Sequence, residues 1–348
     1  MVTTFESAQE QLRTAHPLTR FRELYGAMMV EDPAPADEAW LRFAAGMVLV
    51  NAHDPEQLAQ DLAEAGTRIV QRVRWFEPLA SPIRHLVAAV AVQSGLDVDS
   101  LVDRLEVRRR AFAKAGLGRG APAVVAALVH EVAGDAGSDP VGRLGEIAAA
   151  LRRRHWWLSG RRQLPGCALL ATLPLPAEEA VQRCDDCYEH LRHAGLLAGK
   201  HLLVAAEILP LADVPPAAAC ARHLELTAAL VRRQLPLWQG AYDALATLAL
   251  LDHDPDLVIQ RFSATLEELT RIDIVNPGSA GYAIAAELTF IDLVRYGRDD
   301  APLGVTADGG ELLLERIHRH RAAALVLAYA AMASSDISAG SLPHYPLP

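Results

Sequence analysis

A helix-start signal that returns about every forty residues constrains this chain more than anything else in it. His53-Asp54-Pro55-Glu56 opens an apolar-periodic stretch, and Ser138-Asp139-Pro140, Pro176-Ala177-Glu178-Glu179, Asp213-Val214-Pro215-Pro216 and His253-Asp254-Pro255-Asp256 open others. Leu96-Asp97-Val98-Asp99 does the same without a proline. Asp as N-cap, Pro in the first helical turn and an acid beside it form a local start code. The starts fall near 55, 98, 140, 176, 216 and 255. A helical hairpin of this length cannot bury its apolar side alone, so it must stack on its neighbours. The expectation is an all-α protein of stacked helical hairpins of about 40 residues, a HEAT-like solenoid or related helical repeat array with about 14 helices.

A stronger match appears at twice that period. Ala115-Gly116-Leu117 corresponds to Ala194-Gly195-Leu196, and Ala205-Ala206-Glu207 to Ala285-Ala286-Glu287. The arginine-rich helix ends Arg72/Arg74, Arg152–Arg154 and Arg232/Arg233 lie about 80 residues apart, with Trp75, Trp156 and Trp238 just beyond. The chain divides into a helix and Pro/Asp-rich loop over 1–37, one helical-repeat domain over 38–335 whose last helix would cap the stack, and a proline-containing tail over 336–348. Composition agrees with helices: half of the residues are apolar but only 5% are aromatic, with Ala and Leu dominant.

A formal charge of −10 argues against a nucleic-acid partner, which needs a basic face. The N-terminus lacks the pattern of a secretory signal, and the longest clean apolar run, Ala322–Ala333, is twelve residues, short of the roughly 20 a membrane span needs. The expectation is a cytoplasmic protein without membrane insertion. Cys167, Cys184, Cys187 and Cys220 crowd into one window, unlike a disulfide framework. Cys184-x-x-Cys187 followed by His190 and His193 resembles a metal string, but four ligands on one straight helix drift off a single face. No metal or cofactor is expected. Gly116-Leu117-Gly118-Arg119-Gly120 follows a helix rather than a strand, so it reads as a helix C-cap.

Trp157-Leu158-Ser159, then Leu164-Pro165-Gly166-Cys167-Ala168-Leu169-Leu170-Ala171, resemble the motif of an uncharacterised bacterial helical family catalogued as domain of unknown function 4003. In that family an aromatic-Leu-Ser/Thr turn precedes an acidic-Tyr-Pro step and an Ala/Leu-rich helix. Gln239-Gly240-Ala241-Tyr242 is similar to its second landmark. The resemblance spans roughly residues 40–295 and implies a helical fold without implying an activity. Gln163 and Leu164 stand where the acid and the tyrosine are expected.

Two sets of residues are candidates for function. Arg152, Arg153, Arg154, Arg161, Arg162, Arg232 and Arg233, with Trp156, Trp157 and Trp238, would line one edge of a stacked array. Arginine beside aromatics suits a protein partner or an anionic ligand. The same arginines could instead complement helix C-termini, with the tryptophans wedged between hairpins. The second set is Glu207 and Glu287, acids inside apolar helices where an unpaired carboxylate is costly. Together in one groove they could bind a small molecule or do acid/base work. The leading expectation is a binding scaffold. The alternative is a small-molecule site or enzyme with a pocket on the concave face.

Overall fold

The computed structural model describes residues 16–31, 38–51, 53–74, 77–155, 160–212, 214–276, 278–296 and 319–332. These residues form fifteen α-helices and no strand. Seven are the first arms of hairpins: α1 Pro17–Glu31, α3 Pro55–Arg72, α5 Val98–Lys114, α7 Pro140–Arg154, α9 Ala177–His193, α11 Pro216–Arg232 and α13 Pro255–Arg271. Seven are the returning arms: α2 Glu38–Val48, α4 Arg84–Ser94, α6 Ala121–Ala133, α8 Leu164–Ala171, α10 Lys200–Ile208, α12 Ala241–Leu248 and α14 Ser279–Tyr296. The last, α15, covers 319–332.

The start code works through a side-chain cap at four of the helices, whereas α9 and α11 follow Pro176 and Pro215 without one. Asp54 accepts from Glu56 N, Asp97 from Ser100 N, Asp139 from Gly142 N, and Asp254 from Asp256 and Leu257 N, at 2.9–3.1 Å. Each bond satisfies an amide that the helix cannot reach. The Ala-Gly-Leu repeat is the matching stop. Leu117 N returns to Phe112 O over Gly116 at φ 77°, and Leu196 N to Leu191 O over Gly195 at φ 98°. The same six-to-one closure ends α11 and α13, but there Gln234 and Asp273 occupy the left-handed position.

The hairpins stack, and the stack closes on itself. Each even-numbered helix touches the next, from α2 through to α14, and α14 packs back on α2. Around them the odd-numbered helices form an outer wall from α1 to α13. Arg22 of α1 acts on Glu268 of α13, and α14 also touches α1. The helix before residue 38 is therefore the first outer helix of the ring. Helices pack about 8–10 Å apart, so seven in a ring leave a lumen about as wide as one helix.

That lumen holds α15. Ala322–Ala328 are buried without interruption, which a helix on a surface could not achieve. His320 stacks on Phe290 of α14 with ring centroids 3.7 Å apart, and Tyr329 reaches the beginnings of α8 and α10. The described part of the last helix is thus a central plug; a closed ring has no end to cap. Inner helices surrounded on every side are buried throughout: all eight residues of α8 and all eight of α12 are. The tail 336–348 lies outside the described residues.

Because the left-handed region disfavours side chains, Gly195→Ala is expected to destabilise the protein by about 1 kcal/mol. Gln234→Gly at the equivalent position should stabilise it by up to about 1 kcal/mol. Urea denaturation of both variants checks the pair, and equal signs would show that the two caps are not equivalent.

Candidate functional site

All seven inner helices begin on one face of the ring, and the arginine-rich ends of the outer helices lie on the same face. Three of the arginines, Arg72, Arg154 and Arg232, link neighbouring outer helices. Arg72 of α3 pairs with Asp103 of α5 at 2.6 Å, and Arg154 of α7 with Asp185 of α9 at 3.0 Å, both 31 residues on. Arg154 with Glu178 at 2.7 Å and Arg232 with Asp256 at 2.8 Å repeat a second spacing of 24. Arg152, Arg153 and Arg233 are exposed. Trp238 is half-buried, edge-on to Tyr282 at 5.8 Å, and covers Gly240, where a Cβ would come within 2.1 Å of the indole. Trp156, Trp157 and the side chain of Arg161 lie outside the described residues.

Of the ridge, Arg162 takes part in a cavity. It shares a space of about 40 Å³ with Gln163, Gly166, Lys200, His201 and Tyr329. On this scale a water needs about 10–15 Å³, so the space suits a group of a few atoms. Arg162 comes from the turn before α8, Lys200 and His201 from the first turn of α10, and Tyr329 from the end of α15. The amides at the starts of α8 and α10 add positive potential.

His201 is held from behind. Its Nδ1 lies 2.8 Å from Oδ2 of Asp243, a carboxylate only 2% exposed in the first turn of α12. Burial alone would lower the imidazole pKa, but the charge and hydrogen bond of Asp243 outweigh it and raise the value. Neither His201 nor Asp243 emerges from a sequence search for local motifs, because 42 residues separate them. A usable signal was there: Asp243 is an acid in an otherwise apolar helix, the argument that singles out Glu207 and Glu287.

Those two glutamates do not converge. Glu207 of α10 is wholly buried, and neither carboxyl oxygen has a hydrogen-bond partner among the described residues. It presses on Gly166 of α8, where a Cβ would lie 1.9 Å from Oε2. Burial pushes its pKa well above the usual carboxylate range, which favours the uncharged acid. Glu287 of α14 presses on Gly46 of α2 in the same way, with a Cβ-to-Oε2 distance of 2.6 Å. Burial pushes it up to about 8, against the opposing pull of Arg321 on α15. Helix α12 stands between α10 and α14, so these acids belong to different walls.

The cysteines are buried free thiols, whereas His190 and His193 are exposed, so the apparent metal string is split between two sides of α9. No group of three or more His, Cys, Asp or Glu side chains suited to a metal occurs among the described residues. A larger cavity of about 470 Å³ lies among α1–α4, but its cationic side chains, Arg84 and His85, already have partners.

Residues 124–287 match a family model described as Protein of unknown function (DUF4003). The DUF4003 match runs from α6 into α14 and includes every ring helix that frames the small cavity. The first landmark of the resemblance borders it, since the α8 start carries Pro165-Gly166; in the second, Gln239 lies 3.5 Å from the Cβ position of Gly199, just before Lys200. No curated protein and no solved structure matches the chain.

Two measurements check the buried acids. Gly166→Ala should destabilise by about 2 kcal/mol or more through overpacking. Glu207→Ala in the same chain should recover part of that loss in a double-mutant cycle, and strict additivity would exclude the contact. For Glu287, the folded pKa lies above the unfolded value, so its contribution is fully present below about 4.5 and lost as pH rises through about 8. Stability should therefore fall across that window, by on the order of a few kcal/mol. Glu287→Gln should flatten the decline in a thermal-unfolding series from pH 5 to 9; an unchanged slope would contradict the assignment.

Proposed function

We propose that the protein binds a small anionic ligand, carboxylate or phosphate, at the cavity where the inner helices α8 and α10 begin. The observation that carries this reading is the convergence of Arg162, Lys200 and the Asp243-backed His201 on one space beneath Tyr329. Three cationic or proton-bearing groups from two hairpins, joined by two helix N-termini, form an anion-binding set. Part of the arginine ridge supports the wall, since Arg72, Arg154 and Arg232 pair with acids of the next outer helix. A two-carboxylate enzyme is less well supported, because Glu207 and Glu287 press on different inner helices. We place the protein in the cytoplasm, a setting that suits four unpaired thiols. No helix among the described residues is long and apolar enough to cross a membrane.

A protein partner is the second reading, favoured by the exposed Arg152, Arg153 and Arg233. Calorimetric titration of the full chain with inorganic phosphate, acetate and citrate separates the two. Arg162→Ala and Lys200→Ala should each weaken binding about tenfold, matching the loss of one charge-assisted hydrogen bond. Binding should also weaken as pH rises through the elevated pKa of His201. Absence of binding by all three anions at millimolar concentration overturns the reading. A partner captured in pull-downs that is lost with Arg153→Glu or Arg233→Glu, yet retained with Lys200→Ala, replaces it with the scaffold.

A further inference from the structure

On the opposite face, where the inner helices end, two outer helices carry an arginine at the fourth position that clamps the adjoining turn. Arg20 of α1 donates to the carbonyls of Leu49, Asn51 and His53, and Arg143 of α7 to those of Ala171, Leu173 and Leu175. Elsewhere the fourth residue is Leu58 in α3, Leu101 in α5 and Val258 in α13, all buried apolar side chains. In α9 it is Ala180, and there the short 3-10 turn Leu209–Leu211 packs against the helix. In α11 it is Ala219, and a cavity of about 290 Å³ remains.

The walls of this cavity differ from those of an ordinary packing gap. Leu211, Leu250, Leu251 and Phe290 supply apolar surface, Arg222 lies one helical turn beyond Ala219, and Asp252 and Arg319 complete the charged part of the lining. Arg222 has two enclosed nitrogens, Nε and Nη2, without a hydrogen-bond partner among the described residues. These two share one edge of the guanidinium, the edge that meets both oxygens of a carboxylate side-on. Glu225, Asp252 and Asp254 act on it only through charge, and burial still lowers its pKa. Two enclosed N–H groups without an acceptor are costly, and the charge of Asp252 nearby does not supply the missing hydrogen bonds, so the arrangement calls for an oxygen acceptor facing that edge.

We propose that this cavity is a second binding site, for a small organic acid whose carboxylate meets Nε and Nη2 of Arg222 and whose apolar body lies against Leu211, Leu250, Leu251 and Phe290. It is independent of the site at the other face and shares no residue with it. The apolar walls disfavour inorganic anions as ligands, because such ions leave those walls unfilled.

The test is calorimetric titration of the full chain with hexanoate and phenylacetate, with hexanamide as the uncharged control. The acids should bind and the amide should not. Arg222→Leu should weaken acid binding at least tenfold. Ala219→Arg should do the same by filling the cavity, and should raise the melting temperature because its guanidinium takes up the turn as Arg20 and Arg143 do. Lys200→Ala should leave hexanoate binding unchanged, which separates this site from the one at the opposite face. Equal binding of hexanoate and hexanamide, or acid binding that survives Ala219→Arg, overturns the proposal.

Discussion

Everything in this protein depends on the packing of α14 against α2. Without that contact the hairpins would form an open stack whose inner helices faced water along one side. With it, each inner helix has a neighbour on either side and an outer helix behind it, and α15 lies against α8, α10 and α14. Total enclosure explains why α8 and α12, only eight residues each, carry no polar stripe. Helices that short are not stable alone, so their helicity follows from packing rather than propensity. Small residues make the enclosure possible. Gly46 admits the carboxyl of Glu287 at the closing contact, and the alanines of α15 let it fill a lumen one helix wide.

An interior of this kind treats each polar intruder differently. Asp243 remains beside His201 as part of a hydrogen-bonded pair at the mouth of the ring. His223 settles on the carbonyl of Tyr242 at 2.9 Å, and burial keeps it neutral. Glu207 has no hydrogen-bond partner among the described residues and burial disfavours its charge, whereas Glu287 is pulled between burial and Arg321 of the plug. The last case links protonation to the docking of α15, because the opposing charges sit on plug and ring.

Much of the local architecture is legible in the residues themselves. Asp54, Asp97, Asp139 and Asp254 cap the helices they precede, and Ala-Gly-Leu marks two of the stops. The ridge arginines recur in the sequence because their acid partners recur, at spacings of 31 and 24 residues. The candidate site was only half legible. Arg162 was among the expected residues, but Lys200 and His201 were not, since their importance comes from Asp243 in another hairpin and from Tyr329 in the plug.

The sequence by itself determined where several of the outer helices begin and end, because those caps and stops are hydrogen bonds among residues at most six positions apart. It also determined that the hairpins must stack, since each is apolar on more surface than it can cover alone. Only the tertiary structure decided that seven hairpins meet end to end and enclose a fifteenth helix. Closure is a sum of small rotations between successive hairpins, and no short stretch of chain encodes such a sum. The mouth with His201 and the cavity beside Arg222 exist because the ring closed, so neither can be read from the residues that line it.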